Sequence, residues 1–303
     1  MTRAIRIGTR GSPLALAQAR MAATALRDMH GLSPAQIEIV PVTTTGDRIK
    51  DRPLAELGGK ALWTKELDEC LGDERIDISV HSMKDVESFR PAEFTIAAML
   101  PRADVRDRLI GASGLDSIPR GARFGTSSPR RAAQLLSRRP DLATVPFRGN
   151  VETRLRKIEM GEADATLLAA AGLDRLDRRD VGVPLDDLLP APAQGAVGIE
   201  IRTGDGRMRS LVAAIDHAST HICVSAERRL LMGLGGDCRS PIAALALLDD
   251  GRIHLRAEIL SPDGSEVIRG ERRFPVDDGE APGQLAAELL GRASAALRSL
   301  FTG

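Results

Sequence analysis

Two distant stretches of this chain follow one design. "AIRIGTRGSPLALAQA" (4–19) and "ARFGTSSPRRAAQL" (122–135) each run from a strand-like alternation through Gly-Thr to Ser-Pro and then into a helical pattern. In both, serine is a good helix cap and proline a good first helical residue, because that residue's N–H would have no intrahelical partner. A strand feeding a capped helix is the repeating piece of α/β folds, and its recurrence predicts two related α/β domains.

The segments between fit that design. The helix over 13–30 stops at Gly31, a usual C-terminal signal, and "IEIVPV" (37–42) is the next strand. Gly58-Gly59 opens an expected helix "KALWTKELDECL" (60–71), and "IDISVHS" (76–82) reads as an inner strand that breaks into "MKDV". "GNVETRLRKIEMG" (149–161) reads as a helix capped by Asn150, "DATLLAA" (164–170) parallels "IDISVHS", and "AVGIEIR" (196–202) is a further strand. Beyond about residue 218 the pattern changes. A helix over 219–234 precedes three strand-like runs joined by Asp-Gly turns, and one last amphipathic helix is expected over 283–301. That is a small antiparallel sheet with helices, a separate α+β domain.

Composition narrows the function classes. The chain has 303 residues, 43% of them hydrophobic and 28% charged, with a formal net charge of zero. A neutral chain has no general attraction to nucleic acid or to a membrane surface. One Trp, no Tyr and six Phe leave few platforms on which bases could stack. No apolar run reaches the length of a membrane span, and the N-terminus enters a strand pattern at once, so the expectation is a cytoplasmic protein.

The arginines cluster where strands give way to helices. Arg10 precedes the Ser12 cap, Arg130 and Arg131 follow Ser128-Pro129, and Arg148 precedes the Asn150 cap, with Arg154 and Arg156 a turn later. Cations in a first helical turn oppose the helix dipole, at about 0.3–1 kcal/mol each. An anion bound there removes the conflict, since backbone N–H groups, hydroxyls and guanidinium forks then converge on it. An anionic-ligand cleft is therefore expected, with carboxylate and phosphate both possible ligands. Lys84 and Asp85 follow an inner strand, where open α/β sheets present ligand sites. A carboxylate beside cations stays ionised and can stabilise a developing positive charge or steer a proton.

Other residues read more plainly. His217 and His221 share a helical spacing but lack a third ligand, so no metal site is expected. His81 reads as a hydrogen-bonded inner residue. Cys70 and Cys223 fall in register with apolar neighbours and are expected in the core. Cys238, in "GLGGDCRSPIAA", sits among glycines, with Arg239 favouring its thiolate and Asp237 opposing it. These residues leave an attachment site, a nucleophile and an ordinary loop cysteine all open.

"RIGTRGSPLALAQA", "GGKALWTKEL", "DISVHSMKDV", "GTSSPRRAAQL", "RGNVETRL", "AGLDRL", "QGAVGIE" and "GGDCRSPI" occur in the order and spacing of one enzyme family. Over nearly its whole length the chain resembles the porphobilinogen deaminases, also called hydroxymethylbilane synthases. The resemblance implies two periplasmic-binding-protein-like α/β lobes plus a smaller C-terminal α+β domain with a three-stranded antiparallel sheet. Their expected extents are 1–99 with a return segment 197–217, then 100–196, then 218–303. It implies a cytoplasmic, monomeric transferase of tetrapyrrole biosynthesis that joins four porphobilinogen molecules with loss of ammonia and releases a linear tetrapyrrole by hydrolysis.

The resemblance also implies roles for single residues. Cys238 matches the cysteine that carries a dipyrromethane cofactor through a thioether. Asp85 matches the catalytic aspartate, whose carboxylate would stabilise the electron-poor pyrrole formed as ammonia leaves. Lys84, Ser12, Thr126, Ser127, Ser128, Arg130, Arg131 and Arg148 are implied in cofactor binding. Arg10, Arg148, Arg154, Arg175, Lys60 and Trp63 are implied in substrate binding. No metal, nucleic acid or membrane is implied. Trp63 stands where Phe is common, Ala61 and Ala193 where Gly is, Glu87 where Pro is frequent, and Asp237 where Gly or Ser is commoner. Residues around Trp63 are implied to form a mobile lid. The competing reading is an anion-binding module that has kept the fold and lost the chemistry; retained Asp85 and Cys238 argue against it.

Overall fold

The computed structural model describes residues 3–45, 63–236 and 240–301. The chain divides into two compact units, one of Met1–Ala103 with Gly195–His221 and one of Asp104–Gln194 with Ile222–Gly303.

The first unit is built on a five-stranded sheet. Strand β1 (Ile5–Arg10) runs parallel to β2 (Ile37–Val42) on one side and to β3 (Ile78–Ser82) on the other; β4 (Phe94–Met99) forms the far edge. Between β3 and β4 lies β10 (Val197–Arg202), antiparallel to both. Helix α1 (Pro13–His30) packs Ala19, Ala22 and Leu26 on Ile5, Ile7, Ile78 and Val80. It begins with Ser12, whose hydroxyl accepts the Ala15 N–H at 3.3 Å, and ends at Gly31 with φ +62°. Among the described residues the next helix, α2, covers Lys65–Gly72, with Trp63 and Thr64 in a turn before it. The helix expected from Lys60 thus starts later in its described part, and Lys60 lies outside the described residues.

The second unit repeats this topology. Strand β6 (Arg123–Gly125) is parallel to β7 (Ala143–Val145) and β8 (Ala165–Ala169), followed by antiparallel β5 (Asp107–Ile110) and edge β9 (Val183–Leu185). The two sheet orders, β2-β1-β3-β10-β4 and β7-β6-β8-β5-β9, correspond strand for strand, with the same parallel and antiparallel pairings. The shared "Gly-Thr" has a common packing cause: a Cβ on Gly8 would lie 2.2 Å from Ile76, and one on Gly125 2.6 Å from the Phe147 ring. Helix α3 (Pro129–Leu136) starts at Ser128, and α4 (Val151–Glu159) starts at Asn150, whose Oδ1 accepts the Thr153 N–H at 2.9 Å. Helix α3 ends at Leu136. The short helix α5 (Ala170–Asp174) follows β8. Helix α6 (Gly206–Ala213) belongs to the first unit.

The C-terminal part has its own sheet and core. Strands β11 (Ile242–Asp249), β12 (Arg252–Leu260) and β13 (Val267–Pro275) form an antiparallel meander. Leu255, Ile259 and Phe274 from it pack with Leu230 of α7 (Ala218–Gly233) and with Leu285 and Leu289 of α8 (Ala281–Arg292). The single last helix expected from the pattern is instead two. Ser294 interrupts it: its hydroxyl caps α9 (Ala295–Ser299) at Leu297 N, while its N–H and Oγ donate to the Glu266 carboxylate at 2.8 and 2.6 Å. Local capping thus outweighs a helical period that Ala and Leu would otherwise continue.

Candidate active site

In the first unit, strands β1 and β3 end side by side and deliver Arg10–Ser12 and Ser82–Asp85 to one edge of the sheet. This carboxyl edge is where open α/β sheets expose backbone and side-chain groups to ligands. A cavity of about 50 Å³ opens there, with Arg10, Ser12, Trp63, His81, Ser82 and Asp85 among its walls. Asp85 closes a short 3-10 turn, Met83–Asp85, whose buried Met83 anchors it and leaves the carboxylate half-buried. Lys84 shares that turn. The Arg10 guanidinium lies 3.8 Å over the Trp63 ring, a cation–π contact that fixes the tryptophan against the cavity. Gln18 donates to Ser82 Oγ at 2.7 Å, tying α1 to the end of β3.

Behind this wall sits a buried acid that sequence reasoning missed. Glu200 on β10 is fully buried and accepts from His81 Nε2 at 3.1 Å and from Arg90 Nε at 2.8 Å. Burial works to raise its carboxyl, but His81 and Arg90 outweigh that and hold it down at about 2. His81 is therefore the hydrogen-bonded inner residue expected of it. The signal was present in the sequence: Glu200 sits mid-strand in "VGIEIR", in a run buried on both faces, and such a carboxylate needs a cation.

In the second unit, the ends of β6, β7 and β8 present Thr126–Ser128, Phe147–Arg148 and Ala170–Arg175. Ser127 Oγ accepts the Phe147 N–H at 2.9 Å and Thr126 Oγ1 accepts the Ser128 N–H at 3.1 Å, so the first two ends are knitted together. Arg148, Arg154 and Arg175 are each half-buried along this edge, and Arg154 Nε donates to Gly149 O at 2.9 Å. Burial pushes the Arg175 guanidinium down from its usual value, opposed by neighbouring Asp174.

Arg130 and Arg131 take a different position from the other arginines. Both are buried, at 3% and 6% exposure, and both point at Asp107, which is 1% exposed. Arg130 Nη2 meets Asp107 Oδ2 at 2.8 Å and Arg131 Nη2 meets Oδ1 at 2.6 Å. Burial works against the Asp107 carboxylate, but the two guanidinium groups outweigh it and hold it well below the usual range. Gln194 donates to Asp107 Oδ1 at 3.0 Å, and Gln134 Oε1 accepts from Arg130 at 2.8 Å. These two cations thus share a counter-ion within the protein, a pairing the sequence pattern alone did not show. Asp107 was legible in "DRLI", where it alternates with Leu109 onto the buried face.

The remaining candidates are quickly placed. Cys70 and Cys223 are buried, and burial raises the Cys70 thiol. His217 Nδ1 contacts Thr220 Oγ1 at 2.8 Å and His221 Nδ1 contacts Asp216 at 2.9 Å. Cys238 and Lys60 lie outside the described residues. Among the described residues, no helix is long and apolar enough to cross a membrane.

Residues 5–210 match the family model "Porphobilinogen deaminase, dipyromethane cofactor binding domain", and residues 221–291 match "Porphobilinogen deaminase, C-terminal domain". The chain belongs to the porphobilinogen deaminase family. A porphobilinogen deaminase of Sphingopyxis alaskensis is 57% identical over 98% of this chain and 96% of its own length. That of Paracoccus denitrificans is 52% identical over 96% of this chain and 95% of its own. Among solved structures, an ancestral cationic amino acid solute binding protein is similar at a TM-score of 0.45 and 16% identity, covering 77% of this chain and 91% of that one. In each unit taken by itself, the guanidinium groups with serine or threonine hydroxyls at the sheet edge are donors of the type that carboxylates accept from.

Proposed function

We infer that this chain condenses four porphobilinogen molecules head to tail, with loss of ammonia, into the linear tetrapyrrole hydroxymethylbilane. The observation that carries this is the family match over 5–210, in a domain described as binding the dipyromethane cofactor. The cofactor supplies a covalently held primer, whose attachment we assign to Cys238. In each condensation the aminomethyl C–N bond of one porphobilinogen breaks, and a C–C bond forms to a pyrrole carbon that gives up its proton. Ammonia carries the leaving electron pair, and water completes the final release.

Asp85 is the catalytic residue in this reading. Its carboxylate faces a cavity that Arg10 also lines, where it stabilises the positive charge that develops on the pyrrole nitrogen and passes a proton toward the leaving amine. Arg10, Arg148, Arg154 and Arg175 bind substrate acetate and propionate groups, with Lys60 and Trp63 beside them. Lys84, Ser12, Thr126, Ser127, Ser128 and Arg148 hold the cofactor carboxylates. Arg130 and Arg131, which share Asp107 as a counter-ion, also bind the cofactor. We further place the protein in the cytoplasm as a monomer.

The test is intact mass of the purified protein from cells making porphobilinogen, beside Cys238→Ala and Asp85→Ala. Wild type carries an adduct of two pyrrole units, Cys238→Ala carries none, and Asp85→Ala carries pyrrole but loses nearly all turnover. An unmodified wild-type chain sinks the reading, and normal turnover by Asp85→Ala removes the role given to that carboxylate.

A further inference from the structure

Arg90 lies between the Asp85 turn and β4, and its side chain is 9% exposed. A guanidinium has five N–H donors, and all five are used. Nε and Nη2 donate to the two oxygens of Glu200 at 2.8 and 3.0 Å, and Nη2 donates also to Asp68 at 2.5 Å. Nη1 donates to Glu87 Oε2 at 3.0 Å and to Thr64 Oγ1 at 3.3 Å. Thr64 Oγ1 in turn donates to the same Glu87 oxygen at 2.9 Å.

These partners stand behind three parts of the cavity wall. Thr64 adjoins Trp63, whose ring carries the Arg10 guanidinium. Glu200 holds the Nε2 of His81. Glu87 is two residues beyond Asp85 in the chain, so its carboxylate fixes the exit of the Asp85 turn. One planar fork therefore sets the relative positions of Trp63, His81 and Asp85, three cavity residues on separate elements.

We propose that Arg90, with Glu87, is a positioning residue for the condensation reaction, holding the Asp85 carboxylate and the Trp63–Arg10 stack in their working arrangement. This rests on the assignment of Asp85 as the catalytic carboxylate. Neither Arg90 nor Glu87 touches the reacting atoms; both act through the wall. A lysine in place of Arg90 keeps the charge that compensates Glu200 and Asp68, but one ammonium cannot span four partners in a plane.

The test compares Arg90→Lys, Glu87→Gln and Asp85→Asn with wild type, all carrying the cofactor. Trp63 is the single tryptophan of the chain, so its emission and acrylamide quenching report on this wall alone. Arg90→Lys is expected to lower kcat about 10- to 100-fold, the scale of a small misplacement at a reacting centre. Its KM stays within about threefold, because of the four carboxylate-binding arginines only Arg10 adjoins this wall, while Arg148, Arg154 and Arg175 are untouched. Glu87→Gln, whose side chain is more exposed and whose loss threatens the fold less, lowers kcat in the same direction. In both, Trp63 quenching rises while far-ultraviolet circular dichroism is unchanged. Wild-type kcat and Trp63 quenching in both variants, with only a lower melting midpoint, overturn the proposal and leave Arg90 a structural residue. Normal turnover in Asp85→Asn overturns the catalytic assignment itself, and this proposal with it.

Discussion

Glu227 holds the backbone amide of Ala193: its Oε2 accepts that N–H at 2.6 Å, while its Oε1 accepts the Ala246 N–H at 2.7 Å. Glu227 is fully buried on α7, and Ala193 is a non-glycine residue at φ +62°. One carboxylate thus joins the strained "PAQG" bend to strand β11 of the C-terminal sheet.

Because both contacts are accepted by oxygen, Glu227→Gln can restore only one of them, and its amide N–H then meets another N–H. A buried donor left without an acceptor costs about 1–3 kcal/mol. Urea unfolding of Glu227→Gln is expected to show a loss of that size; an unchanged midpoint removes the clamp from the account.

Ala193 invites the opposite change. The left-handed region costs an L-residue about 1–2 kcal/mol, part of which glycine gives back through its looser unfolded chain. Ala193→Gly is therefore expected to stabilise the protein by about 0.5–1 kcal/mol in the same urea assay. Destabilisation would mean that the buried methyl packs for more than its strained backbone costs.

Asp107 supports two buried guanidinium groups, and removing it leaves both charges without their counter-ion. Breaking a buried ion pair in this way costs about 3–5 kcal/mol. Asp107→Ala should fall in that range by chemical denaturation, or accumulate insoluble. A loss below about 1 kcal/mol, the size seen for surface ion pairs, would show that Arg130 and Arg131 find solvent or other partners when Asp107 is gone.

Glu200 makes stability depend on pH. Its carboxyl is lowered from 4.5 to about 2 in the folded chain, so the unfolded state takes up its proton first as acid is added. The stabilisation from this group is full above about 4.5 and is lost as the pH falls toward about 2. Glu200→Gln lacks this titration. The stability gap between wild type and Glu200→Gln should be widest near neutral pH and shrink over that acid window, measured as urea midpoints. A gap that does not change with pH contradicts the assignment.

What the sequence by itself determined is local and periodic. Ser12, Ser128 and Asn150 cap helices because each offers an oxygen to a nearby N–H. Strand alternation placed the sheets, and the repeated Gly-Thr…Ser-Pro design corresponds to two sheets of the same strand order. Asp85 and the arginines at strand ends were legible because junction residues and short motifs are read along the chain. The tertiary structure alone decided which charges meet. Arg130 and Arg131 turn inward because Asp107 reaches them across the sheet from 23 and 24 positions away. Arg90 finds Glu200 across 110 positions, and Glu227 finds Ala193 across 34. The helix expected over 283–301 breaks at Ser294 for the same reason, since its partner Glu266 is 28 positions back. Periodicity records which face a residue occupies, but a buried ion pair depends on which strands the fold sets side by side.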